Sequence, residues 1–147
     1  MMSSGPIDLL DVNVWLALAD ENHAHHPRAR RYWENESATQ LAFCRVTMLG
    51  FLRLVTHRKI MHGHPFSPSE AWRAYRDFRA LPEVILLVDP PDLETTFTAW
   101  TDQPDFSQTR WTDGYLAALA HAAGCRLVSF DADYHHFGEL HFLHLRP

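Results

Sequence analysis

"TDGYLAALAHAAGCRLVSFDADY", residues 112 to 134, is the stretch on which the fold turns. From Thr112 the run is rich in Ala and Leu and reads as a helix, which Gly124 ends in the position that favours a left-handed cap. "RLVSF" (126–130) follows as a strand, and "DADYHH" (131–136) is a polar turn. A helix that precedes a parallel strand starts near the edge of the sheet where that strand ends. Asp113, in the first turn of the helix, and Asp131, directly after the strand, therefore fall on one side.

The front of the chain has the same logic. In "IDLLDVNVWLALAD" (7–20) a short buried strand, Ile7 to Leu10, stops at Asp11 and passes into a helix around Val14 to Ala19. An ionised Asp in such apolar company is costly unless a base, backbone donors or a metal pairs with it.

Between these ends, strands and helices alternate. Pro27 opens a helix from Arg28 to about Glu34, "LAFCRV" (41–46) reads as a strand, and Thr47 is placed to cap a helix running through Leu49 to Val55. Ser67, Pro68 and Glu70 form a capping box for a helix reaching Arg79. "VILLV" (84–88) is a third core strand, Asp92 is placed to cap a helix from Leu93 to Trp100, and "FLHL" (142–145) is a candidate last strand. Parallel neighbours need crossovers, and here the crossovers are helical. The pattern predicts a single α/β domain over residues 1–147, with three α/β/α layers and a central, mainly parallel sheet of four to five strands. Strand order stays open.

With 147 residues, 46% of them hydrophobic and 21% charged, the chain has the composition of an ordinary globular domain. No apolar run approaches the roughly 20 residues of a membrane span, and "MMSSGPIDLL" lacks a basic leader, so a cytoplasmic protein is expected. Cys44 and Cys125 fit no metal-ligand spacing and read as reduced, buried thiols. A net charge of -5 excludes a general basic coat for nucleic acid, so any such contact must be local.

In open parallel sheets the functional crevice lies beyond the strand ends, where Asp11, Asp113 and Asp131 converge. Three such carboxylates without a neighbouring Lys or Arg would raise one another's pKa. A hard cation, Mg²⁺ or Mn²⁺, resolves the repulsion and leaves room for a substrate phosphate, which suggests phosphodiester hydrolysis. Taken singly, Asp113 also suits a helix N-terminus, and Asp131 and Asp133 also suit a turn. Their joint placement favours a site.

With "DVNVWLAL" (11–18) near the front and "TDGYLAALAHAAGCRLVSFDADY" near the back, the chain resembles the PIN-domain ribonucleases of the VapC toxin type. The resemblance covers nearly the whole chain. It implies a PIN fold, metal-dependent cleavage of RNA, inhibition by a small cognate VapB-like antitoxin, and a homodimer. Carried over by position, it makes Asp11, Asp113 and Asp131 the metal-site acids. Asn13 and Ser129 match the supporting polar positions, and Asp133 is either a fourth acid or a supporting group.

One departure stands out. Such proteins usually carry a Glu in the helix after the second strand, where "TMLGFLRL" (47–54) has Gly50 and no acid. Arg45 and Thr47, at the start of that helix, are candidates to touch substrate phosphate instead. The missing Glu also supports a rival from another class, a catalytically impaired PIN-like module that binds RNA or protein. A response-regulator receiver or a haloacid-dehalogenase-like phosphatase would need a late lysine, and Lys59 is misplaced for either. The eleven histidines, among them His23, His25, His26, His62, His64, His135 and His136, show no zinc-ligand spacing and read as solvated loops. "THRKIMHGH" (56–64) suits either an RNA path or a plain charged helix end.

Overall fold

A computed structural model describes residues 5–147, so residues 1–4 of the stretch read for a leader lie outside it. Five parallel strands form one sheet in the order β3-β2-β1-β4-β5: β1 (Ile7–Leu10), β2 (Gln40–Phe43), β3 (Val84–Leu86), β4 (Arg126–Ser129) and β5 (Phe142–His144). The helices α1 (Val12–Ala19), α2 (His26–Asn35), α3 (Arg45–Val55), α4 (Pro68–Arg79), α5 (Leu93–Thr101) and α6 (Trp111–Ala122) fill the crossovers. Among the described residues, no helix is long and apolar enough to cross a membrane.

A sheet covered on both faces needs apolar side chains on both, and the period of two in a strand splits them. Leu10, Leu41, Phe43 and Val128 point to one face, where Trp15, Tyr32, Phe51 and Tyr75 of α1 to α4 pack. Trp15 lies flat on Phe43, with ring centroids 3.8 Å apart. Leu9, Ala42 and Leu127 point to the other face, under Leu93, Leu116 and Leu119 of α5 and α6. The small side chains of α6 let it lie close to its neighbours: a Cβ at Gly114 would come within 2.8 Å of Thr101 Cγ2 on α5.

Local signals hold with four corrections, the first being that the third strand stops at Leu86, two residues short of the Val88 expected. The Ser67–Glu70 capping box forms as read, and Gly124 takes the left-handed conformation at φ 69°. The second strand, however, ends at Phe43, because Arg45 and Val46 already belong to α3. Cys44, not Thr47, is the N-cap of α3, and the Thr47 hydroxyl reaches back to accept the Cys44 N–H at 2.9 Å. Asp92 sits at the N-cap of α5 but its side chain makes no capping bond. Both cysteines are buried free thiols.

Candidate active site

β1 and β4 are neighbours, with Leu10 paired to Val128, so the residues that follow them meet. The Asp11 N–H donates to the Val128 carbonyl at 2.9 Å, which extends the ladder and places the Asp11 side chain beside Ser129. One Asp11 oxygen accepts the Val12 N–H at 2.8 Å as the cap of α1, and the other accepts the Ser129 hydroxyl at 2.8 Å. Ser129 Oγ in turn accepts from the Asn13 amide at 3.1 Å and the Asp131 N–H at 3.0 Å. Asn13 and Ser129 thus hold Asp11 and the start of the turn after β4 in one network.

Asp113 enters from the first turn of α6, and the buried Tyr134 hydroxyl donates to its Oδ1 at 3.1 Å. Burial pushes the Asp11 carboxyl above the usual carboxylate range, and the nearby Asp113 adds to that against the opposing bonds from Ser129 and Val12. Burial likewise raises Asp113, with Asp131 and Asp133 contributing in the same direction, while Tyr134 and Arg110 oppose it. The Tyr134 phenol is held far above its ordinary value by burial and by Asp11 and Asp113, so it stays a donor. Asp131 Oδ1 accepts the Asp133 N–H at 2.8 Å and opens a short 3-10 turn, Ala132–His136.

An arginine lies among these acids, against expectation. Arg110, at the end of a 3-10 turn before α6, approaches Asp113 Oδ2 at 3.2 Å and Asp133 Oδ2 at 2.8 Å. Its guanidinium lies one helical turn from Asp113, a spacing that sequence alone can register. Tyr134 was visible in the quoted motif but carried no role there, because its partner comes from a different element.

A cleft of about 430 Å³ opens on Asp11, and Thr47, Gly50, Arg53 and Thr112 are among its lining residues. Gly50 therefore does face the site, and a Cβ there would meet Val12 Cγ2 at 3.2 Å. The buried Thr47 hydroxyl is engaged in the first turn of α3, donating to the Cys44 carbonyl at 3.1 Å. Arg45 is exposed, and its guanidinium points to Met48 Sδ at 3.4 Å. Of the "THRKIMHGH" region, Arg53 just before it is the residue that reaches the cleft.

Asp11, Asp113 and Asp131 supply only hard oxygen donors, and the first two are destabilised as anions by burial, which suits a divalent cation in chemistry. As arranged, Arg110 occupies that role toward Asp113. Among the described residues no three His, Cys, Asp or Glu side chains are gathered for an ion, the histidine loops included.

Fold and site together define a three-layer α/β protein with a buried acid at the end of its first strand and a second acid entering from a helix. The PIN domain model matches residues 9–140. Ribonuclease VapC41 of Mycobacterium tuberculosis is 35% identical over 135 residues, spanning 88% of this chain and 92% of its own length. The chain belongs to the PIN-domain family, in its VapC branch. The crystal structure of VapC20 from Mycobacterium tuberculosis, described as a sarcin-ricin loop cleaving toxin, superposes with a TM-score of 0.71 at 22% identity, covering 95% of this chain and 99% of that one. VapBC2 from Rickettsia felis, bound to a DNA fragment from its promoter, gives 0.68 at 11% identity, with 95% and 99% covered.

Proposed function

We propose that this chain is an Mg²⁺- or Mn²⁺-dependent endoribonuclease, the toxin of a VapBC-type pair, acting in the cytoplasm as a homodimer restrained by a VapB-like antitoxin. The observation that carries the reading is Asp11, a nearly buried carboxylate fixed by Val12 and Ser129, lining a cleft and close enough to Asp113 for the two charges to oppose one another. The names of the VapC relatives support ribonuclease chemistry, and the VapBC neighbour supports the antitoxin.

Asp11, Asp113 and Asp131 are the residues that would hold the cation, with Asp133, paired with Arg110, as an outer group. When bound, such an ion lowers the pKa of water and offsets charge on the phosphate. The protein's own contribution is orientation. Ser129 and the Val12 N–H fix Asp11, Tyr134 fixes Asp113, and Arg53 on the cleft wall offers a fork for a phosphate oxygen.

A second reading, an impaired binding module, draws on Gly50 and on the Arg110 pairs with Asp113 and Asp133. Incubation of antitoxin-free protein with a mixed small-RNA pool separates the two, run with Mn²⁺, with EDTA, and with Asp11→Asn. Cleavage that requires both the ion and Asp11 is the expected outcome. A folded protein that cuts nothing and whose melting temperature ignores Mn²⁺ belongs to the second reading.

A further inference from the structure

A larger cavity, of about 650 Å³, adjoins the acids but is not part of their network. Arg110 and Asp133 form the wall it shares with the site, and beyond them it extends between the end of α5, the loop into α6 and the segment after the 3-10 turn. Its volume falls within the range of small-molecule sites. Trp100, Phe106 and Phe137 line it, each half-buried, so ring surface is left for a ligand. Trp100 and Phe137 are already stacked on one another, with centroids 5.7 Å apart and planes 25° off parallel, which fixes their orientation. Flat, pre-oriented aromatic surface beside a phosphodiester site is what an unstacked base needs.

The polar groups around these rings are mixed: Arg110 donates and is paired with Asp133, Ser107 and His136 can donate or accept, and the acceptors are these. Asp105 and Glu139 are exposed carboxylates at the mouth, and the Gln103 amide nitrogen already donates to the Ala99 carbonyl at 3.1 Å, leaving its oxygen free to accept. Two exposed carboxylates at the mouth favour a base whose edge donates over one whose edge only accepts. Guanine offers adjacent N1–H and N2–H₂ groups, a pair that one carboxylate can take with both oxygens, whereas uracil offers a single N–H.

We propose that this cavity is a subsite for one unstacked guanine of a single-stranded RNA, next to the acids across Arg110. The proposal rests on the ribonuclease reading above and gives it a base preference. Arg110 then faces the acids on one side and the bound nucleotide on the other, as a positioning residue for the adjoining phosphate.

The test uses the full chain in EDTA, with guanosine, adenosine, cytidine and uridine 5′-monophosphates titrated calorimetrically. These probes differ only in the base, so a preference among them reads the base. Guanosine monophosphate should bind on the order of tenfold tighter than uridine monophosphate, the discrimination that one bidentate pair supports. Asp105→Asn with Glu139→Gln should erase that preference. Gly138→Leu, with its fold checked by circular dichroism and thermal melting, should weaken all four, because Gly138 lines the cavity and a Cβ there meets nothing within 4 Å. Equal binding of all four, or a preference that survives the rim variants, overturns the subsite. Selective guanosine binding that persists in Asp11→Asn while no RNA is cut supports the subsite and defeats the nuclease reading alone. RNA cleavage at positions indifferent to guanosine and to the rim variants leaves the nuclease and defeats the subsite.

Discussion

Asp11 is stabilised locally and penalised by its surroundings, and the balance can be measured. Its oxygens have two donors, yet burial and Asp113 leave its folded-state pKa above the ordinary value. Between the unfolded and folded pKa the folded chain keeps a proton that the unfolded chain has released, so stability falls as pH rises through that window and returns as pH falls. Asp11→Asn removes the penalty. In EDTA at neutral pH it should gain stability even though its amide keeps only one of the two acceptors that Val12 and Ser129 use, and it should lose cleavage. The gain should shrink as pH falls into the carboxylate range, and a pH series of thermal melts checks it. Asp113→Asn should likewise keep the fold and lose activity in the RNA-pool assay. Arg110→Gln frees Asp113 from a competing cation, so the Mn²⁺ concentration giving a half-maximal melting shift should fall by up to about fivefold, the upper value for a partly exposed pair. At this scale the positions of the acids can be read from the chain, Asp11 because it interrupts an apolar run and Asp113 and Asp131 because strand-end logic puts them on one side, but the described residues do not gather the three into the ion site expected of them. Of their partners, Arg110 shows in the i,i+3 spacing to Asp113 but not in its pair with Asp133, and Tyr134 acts through a side-chain direction that only the assembled elements define.

Elements meet at the site because they are clamped at the opposite end of the sheet. Asp8, 1% exposed within β1, takes Arg126 of β4 in a two-pronged pair, both bonds at 2.9 Å, and also accepts from the Ala38 N–H and the Tyr32 hydroxyl. Arg126 continues to the Glu36 carbonyl at 2.9 Å. The pair fixes the register of the two strands whose far ends carry Asp11 and Ser129. Removing one member of a buried pair strands the other, so Asp8→Ala should cost about 3–5 kcal/mol and lower the melting temperature by about 10 °C. Ser67→Ala, by contrast, removes one exposed cap and should cost about 1 kcal/mol; thermal melts of the two variants side by side check both values. Sequence reading treated "IDLL" as an apolar strand and did not register Asp8, since its partner lies 118 residues away. It placed every helix and strand but mistook Thr47 for the cap of α3. A hydroxyl at the cap and a hydroxyl three residues inside can close the same turn, and only the backbone at Cys44 tells them apart.

On the ribonuclease reading, the whole molecule sets an acidic chain against a polyanion. Parallel α/β architecture followed from the alternation of elements, but the order β3-β2-β1-β4-β5 did not, because the connections up to β4 are helical crossovers, the last holds only a 3-10 turn, and none dictates which neighbour its strand joins. That order sets β1 and β4 side by side near the middle of the sheet and so creates the crevice. With a formal charge of -5, attraction to RNA has to come from the few cations near the crevice, of which Arg53 and Arg110 line the two cavities. For single strands the logarithm of affinity falls with that of salt at about 0.7 per neutralised phosphate. Two contacts then give a slope near -1.4, and about a sevenfold loss of affinity between 50 and 200 mM salt. Fluorescence anisotropy of labelled RNA with the Asp113→Asn variant measures this without cleavage. A loss of about a thousandfold would mean a broad cationic surface that the charge balance rules against, and no loss at all would remove the arginine contacts from the mode of binding.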